Sequence, residues 1–300
     1  MLTGMHIAVI GGDARQLEII KKLTELDAKL YLIGFEQLAQ PFSGAYKEKI
    51  EDVDFSQLDC IILPVPGTNL EGEVDTIFSS DKVVLTEEIL NKTPSYCTIY
   101  SGISNSYLDE IVNQSKRKLV QLFQRDDVAI YNSIPTVEGT IMMAIQNTDI
   151  TIHQSKVAIL GFGRTGMSVA RTFSLLGAKV KVGARSSAHL ARITEMALTP
   201  FHLENLKDEV SDLDICINTI PHLVLNAGVL AKMPPNTLII DLASKPGGTD
   251  FRYAEKRGIK ALLAPGLPGI VAPKTAGQIL ANVLAQLIAE DYENRKGNKS

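Results

Sequence analysis

Residues 161–166 read Gly161-Phe162-Gly163-Arg164-Thr165-Gly166, directly after the apolar run Val157-Ala158-Ile159-Leu160. This is G-x-G-x-x-G set between a strand and a helical stretch at residues 167–176, the context in which that spacing receives a dinucleotide. Gly161 permits the tight turn, Gly163 lets the backbone approach a pyrophosphate, and Gly166 lets the helix pack closely on the strand. Arg164 and Thr165 then open the helix, whose N–H groups and positive dipole end face the phosphates.

The next apolar segment, residues 178–183, reads as the second strand of the unit, and its end is where an adenosine ribose sits. A site for NAD places Asp or Glu there to accept from the 2′-hydroxyl. This chain has Ala184-Arg185-Ser186-Ser187 and no acid between Met167 and Thr194. A guanidinium fork pairs bidentately with phosphate oxygens, so Arg185 with Ser186 suits the 2′-phosphate of NADP. Arg192 adds a second positive charge. The bland alternative makes Arg185 a solvated loop arginine.

Three further loops follow apolar runs. They are Asn218-Thr219-Ile220-Pro221, the segment from Asp241 through Ala243 and Ser244 to Gly248, and Ala264-Pro265-Gly266-Leu267-Pro268-Gly269. Pro and Gly fix turns that expose backbone groups, so Thr219, Ile220, Pro221, Ala243 and Ser244 are expected at the nicotinamide end. The alternative is that these are only tight turns.

Earlier in the chain, Gly11-Gly12-Asp13-Ala14-Arg15 also ends an apolar run. It lacks the dinucleotide spacing, and Asp13 would repel phosphate. Either Arg15 takes a substrate carboxylate beside a helix N-terminus, or Asp13 is an N-cap and Arg15 a surface residue. Ser101-Gly102-Ile103-Ser104-Asn105 is a second anion cradle, and Ser133 with Thr136 a third. No acid–base group stands out. His222 follows Pro221, and Lys274 opens a late helix. Lys274 is expected to bind a substrate carboxylate, with both residues as candidates for moving a proton. Lys245 and the remaining histidines have no visible partner.

The elements that position these groups alternate. Strands are expected at residues 6–10, 29–34, 60–63, 98–100 and 128–131, with helices at 13–25 and 104–118, and the rhythm restarts at Lys156. Such alternation implies a parallel sheet covered on both faces. The expected fold is α/β, two doubly wound parallel-sheet (Rossmann-like) domains with a cleft between them. The division is an α/β substrate and partner domain at 1–135, a crossover helix and connector at 136–152, and an NADP-binding domain at 153–273. A helix at 274–293 returns to the first domain, before a polar, frayed tail at 294–300.

Composition bounds the function. A length of 300 residues with 45% hydrophobic content fits two cores, and a formal net charge of −4 offers no bulk attraction for nucleic acid. No run is long and apolar enough for a bilayer, and the start carries no signal-peptide pattern. Cys60, Cys97 and Cys216 lie in apolar runs without C-x-x-C spacing, which argues against disulfides and structural zinc. No metal is expected, and the chain reads as cytoplasmic.

Several long strings resemble the A subunits of bacterial dipicolinate synthase. They are residues 7–20 (I-A-V-I-G-G-D-A-R-Q-L-E-I-I), Ser101 to Asn105, 125–140 (R-D-D-V-A-I-Y-N-S-I-P-T-V-E-G-T), 183–196, 241–251 and 264–280. The resemblance covers all but the polar tail. It implies an NADP-dependent enzyme of sporulating bacteria, in the mother cell, that makes dipicolinate (pyridine-2,6-dicarboxylate) from the dihydrodipicolinate branch of the lysine pathway. It also implies a partner, a flavoprotein-like B subunit, and a homodimer is compatible with it. Whether the bound substrate is the dihydro or the 4-hydroxy-tetrahydro form stays open. Two rivals stand beside it. One is an NADP-dependent dehydrogenase of another small carboxylate or a folate, since P-G-L-P-G-I-V-A-P-K-T resembles a turn of methylenetetrahydrofolate dehydrogenases. The other is a non-catalytic NADP-binding regulatory subunit of a flavoprotein complex.

Overall fold

Along β1 (His6–Ile10) alternate residues enter two different cores: Ile7 and Val9 join one cluster, Ala8 and Ile10 the other. Side chains alternate faces along a strand, so a strand buried on both sides sits inside a parallel sheet layered by helices. The computed structural model describes residues 1–297. Its chain divides into two units, Met1–Ala129 with the chain from Ala272 onward, and Ile130–Val271.

The first unit continues with α1 (Arg15–Glu25), β2 (Lys29–Ile33), β3 (Ala45–Lys47), β4 (Cys60–Ile62), β5 (Glu73–Val74), β6 (Val83–Val84), α2 (Glu87–Lys92), β7 (Thr98–Ser101), α3 (Ser106–Gln114) and β8 (Lys118–Gln121). Its sheet has the order β3-β2-β1-β4-β7-β8 with every neighbour parallel, while β5 and β6 form a small antiparallel pair. The order reverses between β1 and β4, which makes their carboxyl ends the switch point where such sheets take ligands.

Two sequence expectations are corrected here. The helix expected from Asp13 starts at Arg15, and the strand expected at residues 128–131 is helical, part of α4 (Asp126–Asn147). The run Val128-Ala129-Ile130-Tyr131 has strand-like residue types, but only Val128 is fully buried while Ile130 and Tyr131 are exposed. A central strand would bury all of them. Two aspartates in the first turn favour the helix start, and the sixth strand is β8 instead. Pro135 lies inside α4, so the crossover helix expected from residue 136 begins at Asp126. The chain passes from the first unit to the second within this helix.

The second unit runs β9 (Lys156–Leu160), α5 (Arg164–Leu175), β10 (Lys179–Ala184), α6 (Ser187–Glu195), β11 (Thr199–His202), α7 (Leu206–Glu209), β12 (Ile215–Asn218), α8 (Ala227–Leu230), β13 (Leu238–Asp241), α9 (Phe251–Lys256), β14 (Lys260–Leu263) and α10 (Leu267–Val271). The sheet order is β11-β10-β9-β12-β13-β14, again all parallel. Both units are therefore doubly wound α/β sheets.

The last helix, α11 (Pro273–Gly297), belongs to the first unit and runs beyond the expected end at 293. Of the tail expected at 294–300, residues 298–300 lie outside the described residues. Leu280, Leu284 and Ile288 of α11 are buried with Ile19, Ile20 and Leu23 of α1, each such side chain contributing roughly 1.5–3 kcal/mol of burial. A Cβ at Gly277 would lie 2.5 Å from the Arg15 carbonyl oxygen, so only glycine lets the two backbones approach there. Gln278 Nε2 donates to Glu18 Oε2 at 3.0 Å. The two helices thus start side by side, and α1 starts at the carboxyl end of β1.

Candidate active site

In the second unit, β9 delivers the chain into Gly161 at φ +95°, where Gly161 N–H donates to the Gly183 carbonyl at 3.0 Å. A Cβ at Gly161 would lie 2.5 Å from Thr219 Oγ1, and one at Gly166 only 2.2 Å from the Gly161 carbonyl oxygen. The chain itself requires those two glycines. Gly163 is different: its φ is −87°, and a Cβ there would meet nothing within 4 Å. The chain makes no demand for glycine at that position, and the open space is what a pyrophosphate needs for close approach. No side chain caps α5 at this end, so its positive terminus is left for an anion. Arg164 is exposed and Thr165 half-buried in that first turn.

Ala184 is buried at the end of β10 and Arg185 is exposed beside it. Arg185 makes no hydrogen bond or ion pair among the described residues, whereas Arg192 pairs with Glu195 at 2.8 Å. The second charge expected from Arg192 is thereby matched by its own helix. Ser186 caps α6, its Oγ accepting from His189 N–H at 3.2 Å, which leaves its hydroxyl proton to donate.

The loops after β12 and β13 are bound to one another. Asn218 and Asp241, both 0% exposed, close the two strands. Asn218 Nδ2 donates to Asp241 Oδ1 and to the Ile220 carbonyl, each at 3.0 Å, and Asn218 Oδ1 accepts from Ile220 N–H at 3.1 Å. Asp241 also accepts from Ala243 N–H at 3.1 Å, Gly248 N–H at 2.8 Å and Thr249 Oγ1 at 2.6 Å. Thr219 Oγ1 donates to the Leu160 carbonyl at 2.8 Å, and Gly248 has no room for a Cβ beside the Ile220 and His222 carbonyls. Gly161, Thr219, Ile220 and Ala243 are therefore held as one surface, with Pro221, His222, Ser244 and Lys245 exposed along it. His222 has no side-chain partner among the described residues.

The first unit departs from its expected chemistry. Arg15 is 8% exposed and forks onto Asp13, with Nη2 at 2.6 Å from Oδ2 and Nε at 2.9 Å from Oδ1. Burial alone would raise the Asp13 carboxyl, but the hydrogen bonds and charge of Arg15 outweigh it and hold the group below its ordinary value. Arg15 is thus neither a surface residue nor a free guanidinium, and the cap position of α1 is Ala14 rather than Asp13. The Ser101 cradle is filled by its own chain: Ser101 Oγ donates to the Ile103 carbonyl at 2.6 Å, Ser104 Oγ bonds the Asp109 carboxylate, and Ile103 N–H reaches the Val65 carbonyl at 2.9 Å. A Cβ at Gly102 would lie 2.6 Å from that same carbonyl oxygen, so this glycine serves packing. In the second unit, Ser133 Oγ turns to the Ile130 carbonyl and to Ser168 Oγ at 2.7 Å, and Thr136 Oγ1 to the Asn132 carbonyl at 2.8 Å. Lys274 is different. It lies one turn before Gly277, exposed and with no ion pair among the described residues, where α11 and α1 start together.

Sequence reasoning missed Asn218 and Asp241 as a buried pair, and it missed Gln16 and Thr68. Both of the latter are buried, yet Gln16 Nε2 and Thr68 Oγ1 have no hydrogen-bond partner among the described residues. The cysteines offer no chemistry: burial pushes the Cys97 and Cys216 thiols up to about 12 and that of Cys60 well above its ordinary value. No helix among the described residues is long and apolar enough to cross a membrane.

Comparison with known proteins places this geometry. Residues 6–123 match the family model described as the A-subunit N-terminal domain of dipicolinate synthase, and residues 129–299 match the alanine dehydrogenase/PNT C-terminal domain. The chain is 69% identical to the A subunit of Bacillus subtilis (strain 168) dipicolinate synthase over 290 residues, covering 97% of this chain and 98% of the relative. The crystal structure of the A subunit of Bacillus halodurans dipicolinate synthase superposes with a TM-score of 0.95 at 65% identity, covering 96% of this chain and 99% of that one. For its Bacillus subtilis counterpart the TM-score is 0.94 at 68% identity, covering 98% and 99%.

Proposed function

The chain belongs to the family of dipicolinate synthase A subunits, with a dehydrogenase-type nucleotide-binding domain in its second half, and we propose that it is the NADP-dependent oxidoreductase that makes dipicolinate. The observation that carries this reading is Gly163, a glycine with open space where the fold has no need of one. The surrounding chain fits a dinucleotide. The uncapped start of α5 and Gly163 receive the pyrophosphate, unpaired Arg185 with the Ser186 hydroxyl receives the 2′-phosphate, and Thr219, Ile220, Pro221, Ala243 and Ser244 border the nicotinamide. Bound NADP+ supplies the hydride acceptor, so that a dihydropyridine dicarboxylate loses a hydride and a proton and becomes aromatic.

The gain of aromaticity supplies driving force, so the chain's task is chiefly orientation. Lys274, at the shared start of α1 and α11, is the residue we assign to a substrate carboxylate, and the proton leaves to water. The relatives are named as A subunits, and a flavoprotein-like B subunit is the partner we assign. The place of action is the cytoplasm of the mother cell during sporulation.

The test is turnover with the purified chain, NADP+ and dihydrodipicolinate generated in situ, following NADPH absorbance and dipicolinate by mass spectrometry. Dipicolinate with one NADPH per ring, formed by this chain alone, supports the reading. Product only when a B subunit is added points to the regulatory alternative. Tight NADPH binding with no product in either case redirects the search to other small carboxylates and folates. In the active case, Lys274→Ala raises the substrate KM and leaves NADPH affinity unchanged.

A further inference from the structure

A helix that is apolar on every side is a helix buried on every side, and α4 departs from that rule. From Val128 to Asn147 it carries a single charged residue, Glu138. Val137 and Ala144 enter the core of the second unit. On another side Ile130, Ile134 and Ile145 are 51, 54 and 62% exposed, and Ile141 is half-buried. At 3.6 residues per turn these four isoleucines lie within about 60° of one another around the helix. Beside them runs α5, tied to α4 by the contact between the Ser133 and Ser168 hydroxyls at 2.7 Å. Its last residue, Leu175, is 76% exposed. A groove between the two helices is lined by Ile134, Glu138 and Ile141 of α4 and by Ser168, Arg171 and Leu175 of α5. Exposed apolar side chains gathered into one patch mark an interface, whereas singly scattered ones do not.

We propose that this face binds a second copy of the chain, in a two-fold dimer where α4 packs antiparallel on the α4 of its copy. The spacing of the stripe decides the occupant. Ile130, Ile134, Ile141 and Ile145 stand four, seven and four residues apart, a pattern that reads the same from either end. Turned end for end about an axis beside Val137 and Glu138, the stripe meets itself, Ile130 against Ile145 and Ile134 against Ile141. A two-fold interface requires such self-complementarity. The charges agree with it. Glu138 and Arg171 border the groove from opposite helices, both exposed, and neither makes an ion pair among the described residues. In the dimer Glu138 of each copy faces Arg171 of the other, so the pair forms twice. A lipid surface is a poorer fit, because a helix lying on a membrane carries Lys and Arg along its polar face, and α4 has neither.

The test is sedimentation velocity over a range of concentrations, on the full chain and on Ile134→Glu, Glu138→Arg and Arg171→Glu. The wild type is expected to sediment as a dimer. Ile134→Glu is monomeric at concentrations where the wild type is paired. Each charge reversal sets like charges against one another and raises the dimer dissociation constant roughly tenfold or more. Mixing the Glu138→Arg chain with the Arg171→Glu chain restores the dimer, since every contact between these two positions then joins opposite charges. The three side chains are exposed, so each variant keeps the far-UV circular dichroism of the wild type. A wild type that sediments as a monomer throughout overturns the proposal. So does a dimer that survives all three substitutions unchanged, because it then uses another face. Reversals that weaken the dimer without recovery on mixing overturn the antiparallel two-fold arrangement.

Discussion

Asn218 Nδ2 stands 3.0 Å from Asp241 Oδ1, with both side chains fully withdrawn from solvent. This bond ties the ends of β12 and β13 together. Three further donors from residues 243, 248 and 249 converge on the same carboxylate. The loops proposed to border the nicotinamide are thus shaped by one buried acid.

Replacing Asp241 by Ala leaves several buried donors without an acceptor, at about 1–3 kcal/mol each. Asp241→Ala is expected to lower the stability by about 3 kcal/mol or more, read as a fall in the denaturant midpoint. A midpoint within error of the wild type would show that the network is not holding the loops.

Gly161 and Gly163 stand two residues apart and separate fold from ligand. Gly161→Ala combines φ +95° with a contact of 2.5 Å to Thr219 Oγ1, and the strain is expected to cost about 1–3 kcal/mol. Gly163→Ala meets open space, so the melting temperature stays within a few degrees while the methyl displaces the pyrophosphate. The NADPH dissociation constant is expected to rise roughly tenfold or more, about 1.4 kcal/mol or above. Unchanged affinity in Gly163→Ala would remove this turn from the cofactor site.

For Arg185→Ala the comparison is between two cofactors. A charge-assisted pair contributes about 1.5–3 kcal/mol, so NADPH binding weakens roughly tenfold to a hundredfold while NADH binding barely moves. Fluorescence titration with both nucleotides reads this directly. Equal losses would end the role of Arg185 at the 2′-phosphate.

Acid titration tests the Asp13–Arg15 fork. Asp13 is held below its ordinary value in the folded chain, so its contribution is fully present above the unfolded carboxylate value of about 3.9. It is lost as the pH falls through the lower, folded value. In Arg15→Leu burial remains and the pairing does not, so Asp13 is raised instead. The stability gap between wild type and variant is therefore widest near neutral pH and closes below about pH 4, measured by thermal melts across that range. A gap independent of pH would mean that the fork adds nothing electrostatic.

The strand, glycine turn and helix around Gly161 were legible because each glycine acts locally, on its own turn and its own helix. The parallel layering was legible for a similar reason, since alternating burial along Val157 to Leu160 writes two cores into one strand. Val128 to Tyr131 misled because residue type speaks for a strand, whereas the helix follows from which of these side chains the fold covers. The serine cradles are a different case. Ser101, Ser104 and Ser133 hold suitable hydroxyls, but each is engaged within the chain: Ser101 by Ile103 two residues on, Ser104 by Asp109 five residues on, and Ser133 by Ser168 through tertiary approach. Gln16 and Thr68 were invisible as well, because an unmade hydrogen bond is a property of surroundings and leaves no pattern in spacing.

The first unit is built from both ends of the chain, and the second occupies the stretch between. During synthesis from the N-terminus, residues 130–271 complete a whole sheet with its helices before α11 has emerged. The apolar face of α1 formed by Ile19, Ile20 and Leu23 must meanwhile wait for Leu280, Leu284 and Ile288. On the ribosome the later unit is thus free to close first, and the earlier one is sealed only once α11 has been translated.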